Sequence, residues 1–108
     1  GGVLMKFDHV ALVSKSIKDS IRWYQENLHA EVLYEDDTWG FMNVGGTKIA
    51  LVTKHQHPPH ICFKIDDDFI EKNLQGKVFK KHRDGTESCY VKDIDGNFIE
   101  YLKCPDQN

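Results

Sequence analysis

Two histidines and a glutamate carry the chemistry of this chain most readily. His9 and His60 lie 51 positions apart, and Ala50 and Glu100 lie 50 apart, so the four occupy matching places in a pattern that occurs twice. Two imidazoles and a carboxylate drawn from three strands form a donor set for a divalent metal, with positions left over for water or substrate. At such wide separations the residue types alone would mean little. The repeat gives them meaning, because it predicts which positions face one another.

The elements that must position them follow from periodicity and turn signals. Residues 7–13 alternate as a strand. Ser16 offers an N-cap with Asp19 three residues on, and Ile17, Ile21, Tyr24 and Leu28 fall on one face of a helix. Residues 30–34, 39–44 and 47–53 read as strands, the last two joined at Gly45-Gly46. The second half repeats this order: a strand at 61–65, cap candidates Asp66 to Asp68, and a short helix over 69–74 closed by Gly76. Strands at 78–81, 88–92 and 97–103 follow, with turns at Asp84-Gly85 and Asp95-Gly96.

One helix covers one face of such a module and leaves the other open, so two modules must share the burden. The predicted fold class is α+β: two βαβββ modules forming an open, mixed-sheet barrel around a central cavity. Residues 1–108 are expected to be a single domain, with modules over about 5–54 and 58–104. Val10, Leu12, Ile49, Leu51, Ile61, Phe63, Ile99 and Tyr101 are expected beneath the helices. The opposite parity sends His9, Ala50, His60 and Glu100 into the cavity.

Composition narrows the partners. With 108 residues, 40% of them hydrophobic, one compact domain is the natural outcome. A net charge of −3 without a basic stripe argues against nucleic acid. The longest apolar runs, 10–13 and 49–52, fall far short of the roughly 20 residues of a membrane helix. A soluble protein with no membrane partner is expected. Cys62, Cys89 and Cys104 lack zinc spacing and read as ordinary thiols, and no signal peptide opens the chain, where Met5 reads as the native start behind a cloning remnant. A reducing, cytoplasmic setting follows.

Other candidates have plainer readings. His55 and His57 flank Gln56 before Pro58-Pro59, which enforces an extended linker, so both are expected in solvent. Asp93, Asp95 and Asn97 lack the remainder of a calcium loop and read as a turn. Trp23 and Tyr24 are expected in packing, Trp39 as a strand aromatic or a pocket wall, Cys62 as a small buried thiol, and His29 and His82 as exposed.

The stretches Phe7-Asp8-His9-Val10-Ala11-Leu12, Ser20-Ile21-Arg22-Trp23-Tyr24, residues 60–66 and, most specifically, residues 90–100 resemble the vicinal oxygen chelate superfamily. That superfamily includes glyoxalase I, extradiol dioxygenases, fosfomycin-resistance transferases and bleomycin-binding proteins. The resemblance runs from Lys6 to Cys104 and implies a divalent metal that chelates neighbouring oxygens of a small-molecule substrate. It makes His9, His60 and Glu100 the metal ligands. Ala50 stands where glyoxalase-type members carry a further carboxylate, which argues against ordinary glyoxalase I activity. Two histidines and a glutamate suit Fe2+ or Mn2+, with Ni2+, Co2+ and Zn2+ as alternatives.

His82, Tyr90, Asp93, Gly96 and Glu100 partly match the extradiol signature, which implies catalytic roles for Glu100, Tyr90 and His82. Ile94, Cys89 and Lys80 depart from it. The implied function is a small metal-dependent enzyme, dioxygenase-like, glyoxalase/lyase-like or a thiol transferase, in which the metal acts as Lewis acid on adjacent oxygens. The alternative is a metal-free small-molecule binding module resembling the bleomycin-sequestering proteins. A homodimer is expected in either case.

Overall fold

The computed structural model of the chain describes residues 5–103, so Cys104 lies outside the described residues. Ten elements follow one another: β1 (Met5–Val13), α1 (Ile17–Leu28), β2 (Glu31–Glu35), β3 (Trp39–Val44), β4 (Thr47–Val52), β5 (His60–Ile65), α2 (Asp67–Asn73), β6 (Lys80–Lys81), β7 (Glu87–Lys92) and β8 (Phe98–Lys103). The order strand, helix, three strands therefore occurs twice. Two compact units emerge: residues 9–60, and residues 5–8 together with 61–103.

In the unit 9–60 the strands run β2-β3-β4-β1. β1 is parallel to β4, Ala11 facing Ala50 and Leu12 facing Leu51, while β3 is antiparallel to both β2 and β4, so the sheet is mixed. Gly45 and Gly46 turn the β3–β4 hairpin with φ of 60° and 85°, a region that glycine enters without steric cost. Between Val32 and Tyr34 the β2 register slips, and Leu33 bulges outward.

α1 starts where Ser16 Oγ accepts the Asp19 amide at 3.3 Å and ends at His29 in the left-handed region, φ 55°. Its Ile17 and Ile21 bury against Met42 and Leu51, with Leu12, Tyr24, Val32 and Ile49 around them. Burial of each such aliphatic side chain contributes about 2 kcal/mol. The helix crosses β3 over Gly40, where a Cβ would stand 2.7 Å from Ile21 Cδ1. The other face of the sheet packs Ala11, Ala50 and Val52 against Phe41. Trp23, expected in packing, is 55% exposed, because the inward stripe at 17, 21 and 24 leaves position 23 on the outer side of α1.

In the second unit the order is β5-β8-β7-β6, with β7 antiparallel to β8 and to β6. The start of β1 belongs here, and Phe7 meets Phe63 of β5 edge to face at 5.7 Å between centroids. Asp66 caps α2 by accepting the Phe69 amide at 2.9 Å. Ile65, Leu74 and Cys89 form the core, flanked by Phe69, Ile70, Phe79 and Tyr101. β6 keeps only Lys80 and Lys81, since Val78, expected in that strand, is 89% exposed. Each unit thus has an edge strand, β2 in one and β6 in the other, so the strand order is open. Among the described residues no helix is long and apolar enough to cross a membrane.

Candidate active site

His9 and His60 come together in the unit 9–60. His9 lies midway along β1, half-buried, and its ring meets that of His60 at 5.7 Å and 70°. His60 opens β5 and is 7% exposed. Its Nδ1 bonds the carbonyl oxygen of Pro58 at 2.8 Å. A carbonyl only accepts, so Nδ1 carries the proton and Nε2 is the basic nitrogen, the tautomer a metal-ligating imidazole adopts when its other nitrogen is tied to the backbone. Pro58-Pro59 supports this locally, since proline restricts the backbone just ahead of the ring.

The apolar side of the same sheet flanks the pair. Phe41 stands edge-on to His9 at 5.6 Å and 90°. Ala50 is 4% exposed and packs with Ala11, Val52 and Phe41, so its methyl belongs to an apolar cluster.

Glu100, Tyr90 and Cys62 come together in the other unit. Tyr90 on β7 is the direct partner of Glu100 on β8, and Glu100 is 7% exposed. Burial first, and then the negative charge of the hydrogen-bonded Glu100, push the Tyr90 phenol well above its ordinary range. Cys62 is fully buried and also hydrogen-bonds Glu100. Burial, then the charge of Glu100, drive its thiol far up, with Asp8 adding to the effect. Both groups are therefore neutral proton donors around a buried carboxylate. Cys62 is an inert thiol, since the thiolate is the nucleophile. Asp8, its side chain 10% exposed, pairs with Lys64 at 3.5 Å.

The remaining candidates separate from these groups. His82 is half-buried rather than exposed, because its Nε2 bonds Ser88 Oγ at 2.7 Å across the β6–β7 turn. His55 and His57 are exposed on the linker, although the His57 ring comes within 6.5 Å of His60. His29 is exposed. Asp93 accepts the amides of Asp95 and Asn97 at 2.9 and 2.8 Å, which makes 93–97 a turn.

Sequence reasoning passed over three residues. Asp8 and Lys64 were signalled only by adjacency to His9 and by sharing strand parity with His60 and Cys62. Asp36 was signalled by an acidic residue two positions before Thr38, an Asx-turn pattern. Its Oδ1 accepts the amides of Thr38 and Trp39 and the Thr38 hydroxyl, while Oδ2 accepts the Tyr34 phenol at 2.6 Å.

A twice-repeated βαβββ order, a histidine pair with one tautomer set by the backbone, and a buried glutamate flanked by donors define a class of α+β proteins with the glyoxalase-like fold. The chain belongs to the Glyoxalase/Bleomycin resistance protein/Dioxygenase superfamily, whose profile matches residues 6–101. Among characterised proteins it resembles the metallothiol transferase FosB of Staphylococcus haemolyticus, 29% identical over 86% of this chain and 79% of that protein. FosB of Staphylococcus epidermidis is likewise 29% identical, with the same coverage. A hypothetical protein from Bacillus halodurans C-125 superposes with a TM-score of 0.71 at 19% identity, over 96% of this chain and 97% of that one. Methylmalonyl-CoA epimerase from Mycobacterium tuberculosis does so with 0.71 at 16%, over 94% and 89%. At these identities the two structures speak to the fold alone.

Proposed function

We propose that the chain is a metal-dependent enzyme of the vicinal oxygen chelate type, with His9, His60 and Glu100 as ligands of one divalent metal. The observation that carries the reading is the hydrogen bond from His60 Nδ1 to Pro58, which commits Nε2 to act as a donor beside His9. The donor chemistry fits: two borderline nitrogens and one hard oxygen suit Mn2+ or Fe2+ and leave coordination positions open. When bound, such an ion supplies Lewis acidity to adjacent oxygens of a small substrate.

The chain's own residues then have definite tasks. His60 presents Nε2 in a fixed direction. Cys62 and Tyr90 hold Glu100 by donating to its carboxylate. Tyr90, about one-third exposed, keeps its proton on Oη at neutral pH, and that single O–H serves Glu100. His82, turned toward Ser88, is assigned a supporting role in the β6–β7 turn. The likeness to the metallothiol transferases supports transfer of a thiol to an oxygenated small molecule ahead of dioxygenase or lyase chemistry. The reading includes a homodimer and a reducing, cytoplasmic setting, in keeping with the two buried free thiols, Cys62 and Cys89.

The test is metal content after reconstitution with Mn2+. About one ion per chain is expected in the wild type and essentially none in His60→Ala. Stoichiometric metal in His60→Ala overturns the ligand assignment. The metal-free binding module is the second reading, favoured by the apolar cluster around Ala50. It takes over if neither protein retains metal.

A further inference from the structure

A row of aromatic rings leads away from the histidine pair inside the unit 9–60. His60 meets His9 at 5.7 Å, His9 meets Phe41 at 5.6 Å, Phe41 meets Trp39 at 5.8 Å, and Trp39 stacks on Tyr34 at 4.8 Å with 28° between the planes. The row is graded by exposure. His60 is buried, His9 and Phe41 are half-buried, and Trp39 and Tyr34 are 38% and 45% exposed. Single exposed aromatics are ordinary. A cross-strand aromatic pair stabilises its hairpin, and this one is also held by Asp36 and continuous with the histidine pair.

The holding groups are specific. Asp36 spans the pair, taking the Tyr34 hydroxyl on Oδ2 and the backbone amide of Trp39 on Oδ1, at 2.6 and 2.9 Å. The β2–β3 ladder fixes the backbone on either side. Little ordering entropy is then left to lose when a flat molecule settles on these rings.

We infer that Trp39, backed by Tyr34, is a binding platform for a planar conjugated group, and that Trp39 is a specificity-determining residue of the proposed site. The ligand class is a small molecule with adjacent oxygens at one end and an aryl or heteroaryl group at the other. The oxygen end rests on the metal reading, whereas the platform stands on the ring geometry alone. Stacking on an aromatic face adds to the gain from area burial, so an aryl tail strengthens binding about two- to tenfold.

Two measurements test this separately. The chain has two tryptophans, so Trp23→Phe, a change at an exposed position, makes Trp39 the sole indole emitter. With no metal added, 4-nitrobenzyl alcohol should quench that emission saturably, while ring-free nitromethane quenches in linear proportion to its concentration. Linear quenching by both overturns the platform.

In Mn2+-loaded protein, calorimetry compares acetohydroxamic acid with 4-phenylbenzohydroxamic acid, which share a two-oxygen head group. The aryl compound should bind about two- to tenfold more tightly to wild type, with that preference lost in Trp39→Ala and mostly kept in Trp39→Phe. An unchanged preference in folded Trp39→Ala overturns the assignment of Trp39. Saturable quenching without hydroxamate binding upholds the platform and removes the metal reading.

Discussion

His60 donates its Nδ1 proton to the carbonyl oxygen of Pro58 at 2.8 Å, so the ring and the backbone ahead of it form one rigid piece. Rigidity here comes from sequence-local chemistry, since two prolines restrict the backbone between which the bond forms. Replacing Pro58 and Pro59 together with alanine should leave the ligands in place but loosen the ring. Loss of such outer support costs about ten- to a hundredfold in metal affinity. Mn2+ titration followed by electron paramagnetic resonance checks this, and an unchanged affinity would show that the prolines do not orient His60.

Gly40 on β3 lies directly against the buried face of α1. An added Cβ would lie 2.7 Å from Ile21 Cδ1 and 3.2 Å from Ile17 Cγ2, both buried side chains. Gly40→Ala should therefore destabilise the unit 9–60 by about 1–3 kcal/mol, the usual range for overpacking a tight core. Urea unfolding measures it. A midpoint equal to wild type would mean that Ile21 swings aside at no cost.

Asp36 has its carboxyl lowered from 3.8 to about 2 by the Tyr34 hydroxyl, followed by the amides of Thr38 and Trp39. A depressed folded value stabilises above the unfolded one, so the contribution is present above about pH 4 and lost as pH falls through about 2. Asp36 is exposed, and solvent screening keeps the effect small. Asp36→Asn should flatten the dependence of the urea midpoint on pH between 4 and 2. An identical slope in both proteins would refute the linkage.

Cys62 and Cys89 are both buried, and burial is the largest cause raising each thiol. In Cys104→Ser protein at pH 8, iodoacetamide should leave both unmodified in the native state and modify both in urea. Rapid native labelling of Cys62 would mean that the thiol is reached by solvent and is no fixed donor to Glu100.

Much of this was legible in the chain because it is local or periodic. The stripe Ile17, Ile21, Tyr24, the Ser16 cap and the Gly45-Gly46 hairpin each rest on spacings of a few residues. The nearness of His9 and His60 was legible for a different reason, since a duplicated pattern sets corresponding positions opposite one another. What escaped notice depends on contacts that no spacing encodes. Leu33 slips out of register because β2 pairs on one edge only. His82 is drawn inward by a serine six residues away, and Trp23 faces out because the helix buries its neighbours. The donors around Glu100 come from two other strands and become visible only when those strands are paired.

Strand β1 begins in one unit and ends in the other, with Phe7 packed on Phe63 while Ala11 pairs with Ala50. On the ribosome this sets an order of events. Residues 9–60 form a continuous stretch that can close as soon as β4 has emerged, whereas residues 5–8 must wait until β5 follows them out. During that interval Met5 and Phe7 are apolar side chains without their partner strand, the condition in which nascent chains meet chaperones. Two halves expressed separately and cut at the linker would each inherit part of this interval permanently, the second half lacking residues 5–8 altogether.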